Sequence, residues 1–196
     1  MAVVLGLGNP GARYARTRHN VGWWLLETLV ARWRAAEAPA PAPASVRAWR
    51  ADPQGREVWL LAPQTYMNLS GEALAAWRRA RPFETSELLV VGDDVYLPAG
   101  MLRLRAGGSS GGHRGLESVE AALGTRDYAR LRIGVGHANA ASLREHVLEE
   151  FTSDDERAVR EAVVKAAEAV ETWLADGLRA AMNRFNRRIA REVSDT

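Results

Sequence analysis

The chain contains no cysteine. That absence excludes disulfides and thiolate-held metal centres. The N-terminus has no basic stretch leading into a long apolar run. A secretory signal and a membrane span are therefore not expected there, and a cytoplasmic protein is the default. Lysine is almost missing: Lys165 is the only one, and arginine supplies the rest of the 26 basic residues. Against 24 acids the net charge is only +2, although the isoelectric point is about 9.4. Abundant arginine here is a compositional bias, and only its placement can argue for a nucleic-acid partner. What remains is ordinary for a globular enzyme-sized chain. The 196 residues, 47 % hydrophobic and 26 % charged, suit one domain, 1–196, with a substantial core. No internal repeat is present.

Unusual chemistry is concentrated in Gly6 to Gly22, GLGNPGARYARTRHNVG. A short apolar run, Val3 to Leu5, precedes it and reads as a buried strand. An amphipathic helix follows, with Val21, Leu25 and Leu29 on one side and Leu26, Val30 and Trp33 beside them. A polar loop at the carboxyl end of a strand is where α/β proteins usually bind ligands. Gly6, Gly8 and Gly11 match the spacing of a dinucleotide fingerprint, but the match fails on chemistry. Pro10 supplies no N–H, the helix starts near Thr17 to Asn20, and no acid ends a second strand at the proper distance. A tight turn explains the glycines but not Asn9, His19 and Asn20.

Further along, Glu37 to Ser45 alternates Pro and Ala and reads as an extended connector. Val46 to Trp49 and Val58 to Leu61 read as strands joined by the turn Asp52 to Gly55. Pro63 to Gly71, PQTYMNLSG, again puts polar residues after an apolar strand, and Leu74 and Trp77 mark a helix. Leu88 to Val91 reads as a central strand ending in Gly92-Asp93-Asp94, either a site or a solvated turn. In Met101 to Arg105 and in Arg130 to Val135 the arginines alternate with apolar residues. Arg103, Arg105, Arg130 and Arg132 could thus share one face, as a phosphate-binding patch or as a plain solvent-facing side. Between them Gly107 to Leu116, GGSSGGHRGL, runs into a helix marked by Leu116, Val119 and Leu123. It lacks the Lys-Ser/Thr pair of a triphosphate loop; its helix N-terminus suits the phosphates or 3′ end of an RNA. Ser153 and Glu156 form a capping-box pattern before a stripe of Val159, Val163, Val170 and Leu174. Gly177 breaks that helix. Beyond it Leu178, Met182, Phe185 and Ile189 continue a second one, with Arg184, Arg187, Arg188 and Arg191 on its other side.

Together, GLGNPGARYARTRHNVG, QTYMNLSGEAL, GDDVYLPAG, GGSSGGHRGL and RLRIGVG resemble the bacterial peptidyl-tRNA hydrolase family, in its order, over residues 3 to 136. The resemblance implies a single α/β domain with a twisted mixed β-sheet flanked by α-helices. It implies a cytoplasmic monomer that needs no metal or organic cofactor and cleaves the ester between a peptide and the tRNA 3′ ribose. By motif, His19 is the general base and Asp93 its partner, with Asp94 the lesser candidate. Asn68 holds water or donates to the oxyanion. Asn9 distinguishes N-blocked peptides from free aminoacyl-tRNA. Tyr14, Tyr66, Met67, Gly112 and Arg114 lie near the tRNA terminus or the peptide. The residue chemistry agrees: an imidazole is suited to general-base ester hydrolysis at neutral pH, and a carboxylate fixes its tautomer. His113, His137 and His146 lack metal-ligand spacing.

Three positions depart from the family pattern. Arg114 replaces an asparagine, Tyr96 stands where an aspartate is common, and Ala62 where a lysine is common. None removes a catalytic group. The rival reading is a non-catalytic RNA-binding or splicing-factor-like relative on the same fold; pure binding would not need Asn9, His19, Asn68 and Asp93 together.

Overall fold

The structure is a computed structural model that describes residues 1–41, 43, 45–137 and 143–186. Its frame is one seven-stranded mixed sheet in the order β2-β3-β4-β1-β5-β7-β6. The strands are β1 (Ala2–Gly6), β2 (Ala36–Ala38), β3 (Val46–Ala51), β4 (Val58–Pro63), β5 (Leu88–Asp94), β6 (Leu102–Arg105) and β7 (Ala129–Gly134). β4, β1, β5 and β7 run parallel, while β3 and β6 pair antiparallel on either side and β2 forms the edge beside β3.

Parallel strands are apolar on both faces because helices cover both. Ala2 and Val4 of β1, and Leu89 and Val91 of β5, face α1 (Val21–Trp33) and α5 (Ser153–Phe185). Val3 and Leu5, with Leu88 and Val90, face α2 (Ser70–Ala80) and α3 (Arg114–Leu123). Leu5, Leu25, Leu60 and Leu74 are fully buried, each worth about 1.5–3 kcal/mol of apolar transfer. α5 buries the expected Val159, Val163, Val170 and Leu174, and also Ala162, Ala166 and Ala169, whose small side chains allow close packing.

Three local expectations change. Part of the Pro-Ala connector is a strand: Ala36–Ala38 pairs with β3, and Glu37 accepts two hydrogen bonds from Arg47. The cap of α5 is Thr152, whose hydroxyl accepts from Asp155 N–H, rather than Ser153. A short helix, α4 (Leu143–Leu148), lacked a periodic signal because it is only six residues long. Gly177 does interrupt α5, with φ 84°. Of the arginines on the last helix face, Arg187, Arg188 and Arg191 lie outside the described residues, as does Ile189.

Candidate active site

The polar loops converge at the carboxyl ends of β1, β4 and β5. After β1, Leu7 N–H still donates to Val91 O, keeping the loop on the sheet. The chain then turns through Ala12–Tyr14 and Arg18–Asn20 into α1. Two bonds hold this excursion: Trp24 Nε1–H of α1 donates to Ala15 O at 2.8 Å, and the Thr17 hydroxyl donates to Tyr14 O at 2.8 Å. His19 is thereby carried over the end of β5.

His19 Nδ1 lies 2.6 Å from Asp93 Oδ1, and His113 Nε2 lies 3.0 Å from the same oxygen. The surroundings determine each tautomer. His113 Nδ1 accepts the backbone N–H groups of Gly115 and Leu116, so its proton sits on Nε2 and points at Asp93. Burial alone would raise the Asp93 carboxyl, but the two imidazoles facing it outweigh burial and hold it well below the usual carboxylate range. Ionised Asp93 can only accept, so His19 donates from Nδ1, and its Nε2 lone pair has no hydrogen-bond partner among the described residues. The His19 side chain keeps 11 % exposure, while Asp93 keeps 2 %, so water can reach the base but not its partner.

Two glycines make this packing possible. A Cβ at Gly92 would lie 3.2 Å from His113 Nε2, and one at Gly115 only 2.4 Å from Met67 Sδ. Asp93, not Asp94, is the partner of His19. Asp94 instead pairs with Arg132 at 2.9 Å and accepts from Tyr96 N–H. His113 was not marked by spacing; its place beside Asp93 could be read only from the loop's path in space. The ligand atoms of His19, Asp93 and His113 lie within 4.8 Å of one another. Their hydrogen-bond chemistry opposes a metal ion, because His113 must keep its Nε2 proton to satisfy its other nitrogen's donors.

Next to His19, Asn20 locks the second asparagine. Asn20 Oδ1 accepts from Asn9 N–H at 2.9 Å, and its Nδ2 donates to Asn9 O at 3.0 Å. Buried Asn9 then accepts Met67 N–H through Oδ1 at 2.8 Å. That bond fixes the turn Met67–Leu69 and displays Asn68 and Tyr66, both exposed. Met67 is buried, and Tyr14 is half-buried with its hydroxyl held by Arg13.

His19, Asp93 and His113 open onto a cleft of about 210 Å³, whose rim includes Gly112, Arg114 and Arg132 and whose cover is Leu143 and Val147 of α4. Asn9, Asn68, Tyr14 and Tyr66 lie outside its lining. Three of the backbone donors expected to greet an anion are already used: Gly112 N–H donates to Ser110 Oγ, and Gly115 and Leu116 N–H donate to His113 Nδ1. Exposed Arg114, the first residue of α3, is what the helix start presents to the cleft. The nearby acids Asp93 and Asp94 are already engaged.

The four-arginine face is corrected. Arg103 does pair with Arg132, and Arg105 with Arg130, across β6 and β7. Their face, however, is the α3 face. Arg130 is 2 % exposed and ion-paired to Glu120 of α3; it is no phosphate ligand on the surface. Arg132 is largely covered. Only Arg103, half-buried, and Arg105, exposed at the sheet edge, remain accessible.

The comparisons point the same way as this geometry. A family model described as peptidyl-tRNA hydrolase matches residues 3–193. A peptidyl-tRNA hydrolase of Chloroflexus aggregans is 44 % identical over 192 residues, covering 95 % of this chain and 99 % of that protein. One of Symbiobacterium thermophilum is 45 % identical over 185 residues, covering 94 % and 98 %. Among solved structures, peptidyl-tRNA hydrolase from Acinetobacter baumannii superposes with a TM-score of 0.89 at 31 % identity, covering 95 % of this chain and 94 % of that one. With a matching sequence from end to end and a matching fold, the chain belongs to the peptidyl-tRNA hydrolase family.

Proposed function

We propose that this chain hydrolyses the ester between a peptide and the 3′ ribose of tRNA, with His19 as general base. The carrying observation is the Asp93 carboxylate held at His19 Nδ1, which leaves Nε2 as the proton acceptor. Water on Nε2 attacks the ester carbonyl as His19 takes its proton. Asp93 stabilises the imidazolium that forms. The oxyanion draws on the Asn68 amide. Collapse breaks the carbonyl–O3′ bond, and the imidazolium returns its proton to the leaving ribose oxygen. The products are a peptide carboxylic acid, which ionises at neutral pH, and a tRNA ready for reuse. Asn9, rigidly seated by Asn20, is suited to reading the N-blocked peptide backbone. Arg103 and Arg105 are suited to tRNA phosphates.

A cytoplasmic monomer suffices for this role, and among the described residues no helix is long and apolar enough to cross a membrane. The relatives favour no non-catalytic RNA-binding alternative. Incubation with N-acetyl-aminoacyl-tRNA should release the blocked amino acid, while unblocked aminoacyl-tRNA should be cleaved far more slowly. Equal rates on both, or none on either, would defeat the reading.

Arg114 should bind an anionic part of the substrate. Its guanidinium adds to the positive end of α3, a combination that favours phosphate over a carbonyl. Arg114→Ala should therefore raise KM severalfold for full tRNA substrates and leave a short esterified nucleoside without phosphates unchanged. Arg114→Asn should keep kcat. Equal shifts of KM on the two substrates would assign Arg114 to the peptide carbonyl instead.

A further inference from the structure

Buried Arg130 of β7 has a use that neither catalysis nor tRNA binding accounts for. Arg130 reaches across the start of the glycine-rich loop. Its Nη1 donates to Ser109 O at 3.1 Å, and its Nη2 donates to Arg126 O at 3.2 Å. The Glu120 carboxylate, 3.1 Å away, neutralises it, and its guanidinium lies 4.4 Å over the buried Tyr128 ring. Burial pushes the Tyr128 hydroxyl up to about 12, so the ring stays neutral beneath the cation. Two residues along the strand, Arg132 Nη2 donates to Ser110 O while Nη1 holds Asp94. Adjacent carbonyls of one loop are thus held by alternate arginines of one strand.

The loop's other bonds are gathered at Ser110, whose hydroxyl accepts from Gly112 N–H and donates to Glu117 and whose carbonyl accepts from His113 N–H. Gly107, Gly108, Gly111 and Gly112 give it no side chains to pack, and Ser109 is exposed. Yet its end must place His113 Nε2 within 3.0 Å of Asp93 and Gly112 at the cleft. A planar fork holds donors on separate nitrogens in fixed positions and can span two carbonyls; a lysine brings a single nitrogen on a flexible stem.

We propose that Arg130 is a positioning residue: it clasps the glycine-rich loop and sets turnover through His113, without touching substrate. The proposal rests on His19 and Asp93 being the catalytic pair. It sets buried Arg130 apart from Arg103 and Arg105, which face the tRNA.

Arg130→Lys keeps the charge opposite Glu120 but loses the fork whose two nitrogens span the Ser109 and Arg126 carbonyls. It should lower kcat about tenfold, with KM for N-acetyl-aminoacyl-tRNA within about twofold and the salt dependence of tRNA binding unchanged, since misplacement of about 1 Å can cost up to about 10²-fold. Gly107→Ala works from the other side of the clasp. Its Cβ would lie 2.7 Å from Arg126 O, wedging apart the two segments that Arg130 joins. It should reproduce the kcat loss and keep KM, and it stands in should Arg130→Lys not fold. In both variants the His113 Nε2 proton should move in the NMR spectrum. Arg103→Ala with Arg105→Ala should do the reverse: higher KM, a flatter salt slope, and kcat retained. A raised KM with a flattened salt slope in folded Arg130→Lys would overturn the proposal by making Arg130 a phosphate ligand. Wild-type kcat in folded Arg130→Lys, or in folded Gly107→Ala, would overturn it as well. A wild-type His113 signal beside a lowered kcat would also overturn it. Failure of the His19–Asp93 assignment would appear separately, as full turnover in the His19→Ala protein.

Discussion

His19→Ala should lower kcat by about 10²–10⁴, the usual cost of losing a general base, while tRNA affinity stays near wild type. One nitrogen of the His19 ring is available to act. Asp93 occupies His19 Nδ1, so Nε2 is the lone pair the ring presents to water. The other imidazole at the site is no substitute, because His113 Nε2 carries its proton toward Asp93 and Nδ1 caps α3. Folding should survive. His19 sits in the turn Arg18–Asn20, whose backbone is held by Arg18 N–H donating to Glu149 O and Asn20 N–H donating to Thr17 O rather than by the imidazole. The measurement is single-turnover cleavage of N-acetyl-aminoacyl-tRNA by variants whose thermal unfolding matches the wild type. Turnover within a few-fold of wild type would remove His19 from the mechanism.

Asp93→Asn should lower kcat by about 10²–10⁴ as well, and it should also move the pH profile. A carboxylate favours the protonated imidazole, and an amide does not. Protonated His19 is inactive as a base, so the rising limb of kcat/KM should shift to lower pH in the Asn variant while its plateau falls. The plateau falls because the amide no longer stabilises the imidazolium and no longer enforces the Nδ1–H tautomer. Asp94→Asn is the control. It should leave the limb in place and act only through Arg132, its partner at 2.9 Å. A limb that moves with Asp94 and not with Asp93 would exchange the two roles.

Much of this arrangement was legible in the residues. Continuous apolar runs at Val3 to Leu5 and Leu88 to Val91 read as buried strands, and they are the sheet's centre. Polar loops directly after such strands marked where a site must lie, and His19, Asn9, Asn68 and Asp93 all belong to them or to the strand end. Two adjacent acids, however, are equivalent in a sequence. Side-chain alternation separates them: the α1 face of β5 carries Asp93 toward His19, and the opposite face turns Asp94 to Arg132 on β7.

Long-range packing decided the rest. Alternation put Arg130 and Arg132 on a common face with Arg103 and Arg105, but it could not say whether water or α3 covers that face. Because α3 does, Arg130 lies against Glu120 and the glycine-rich loop instead of solvent. His113 likewise has no spacing signal, since it stands 20 residues from Asp93 along the chain. Only the folding of the loop over side-chain-free Gly92 brings the two within hydrogen-bond reach. Periodicity and local chemistry therefore determined the central strands and the longer helices, and the motifs marked the proposed reacting groups. Which groups touch depended on how helices and loops cover each sheet face, and that is a property of the packed chain.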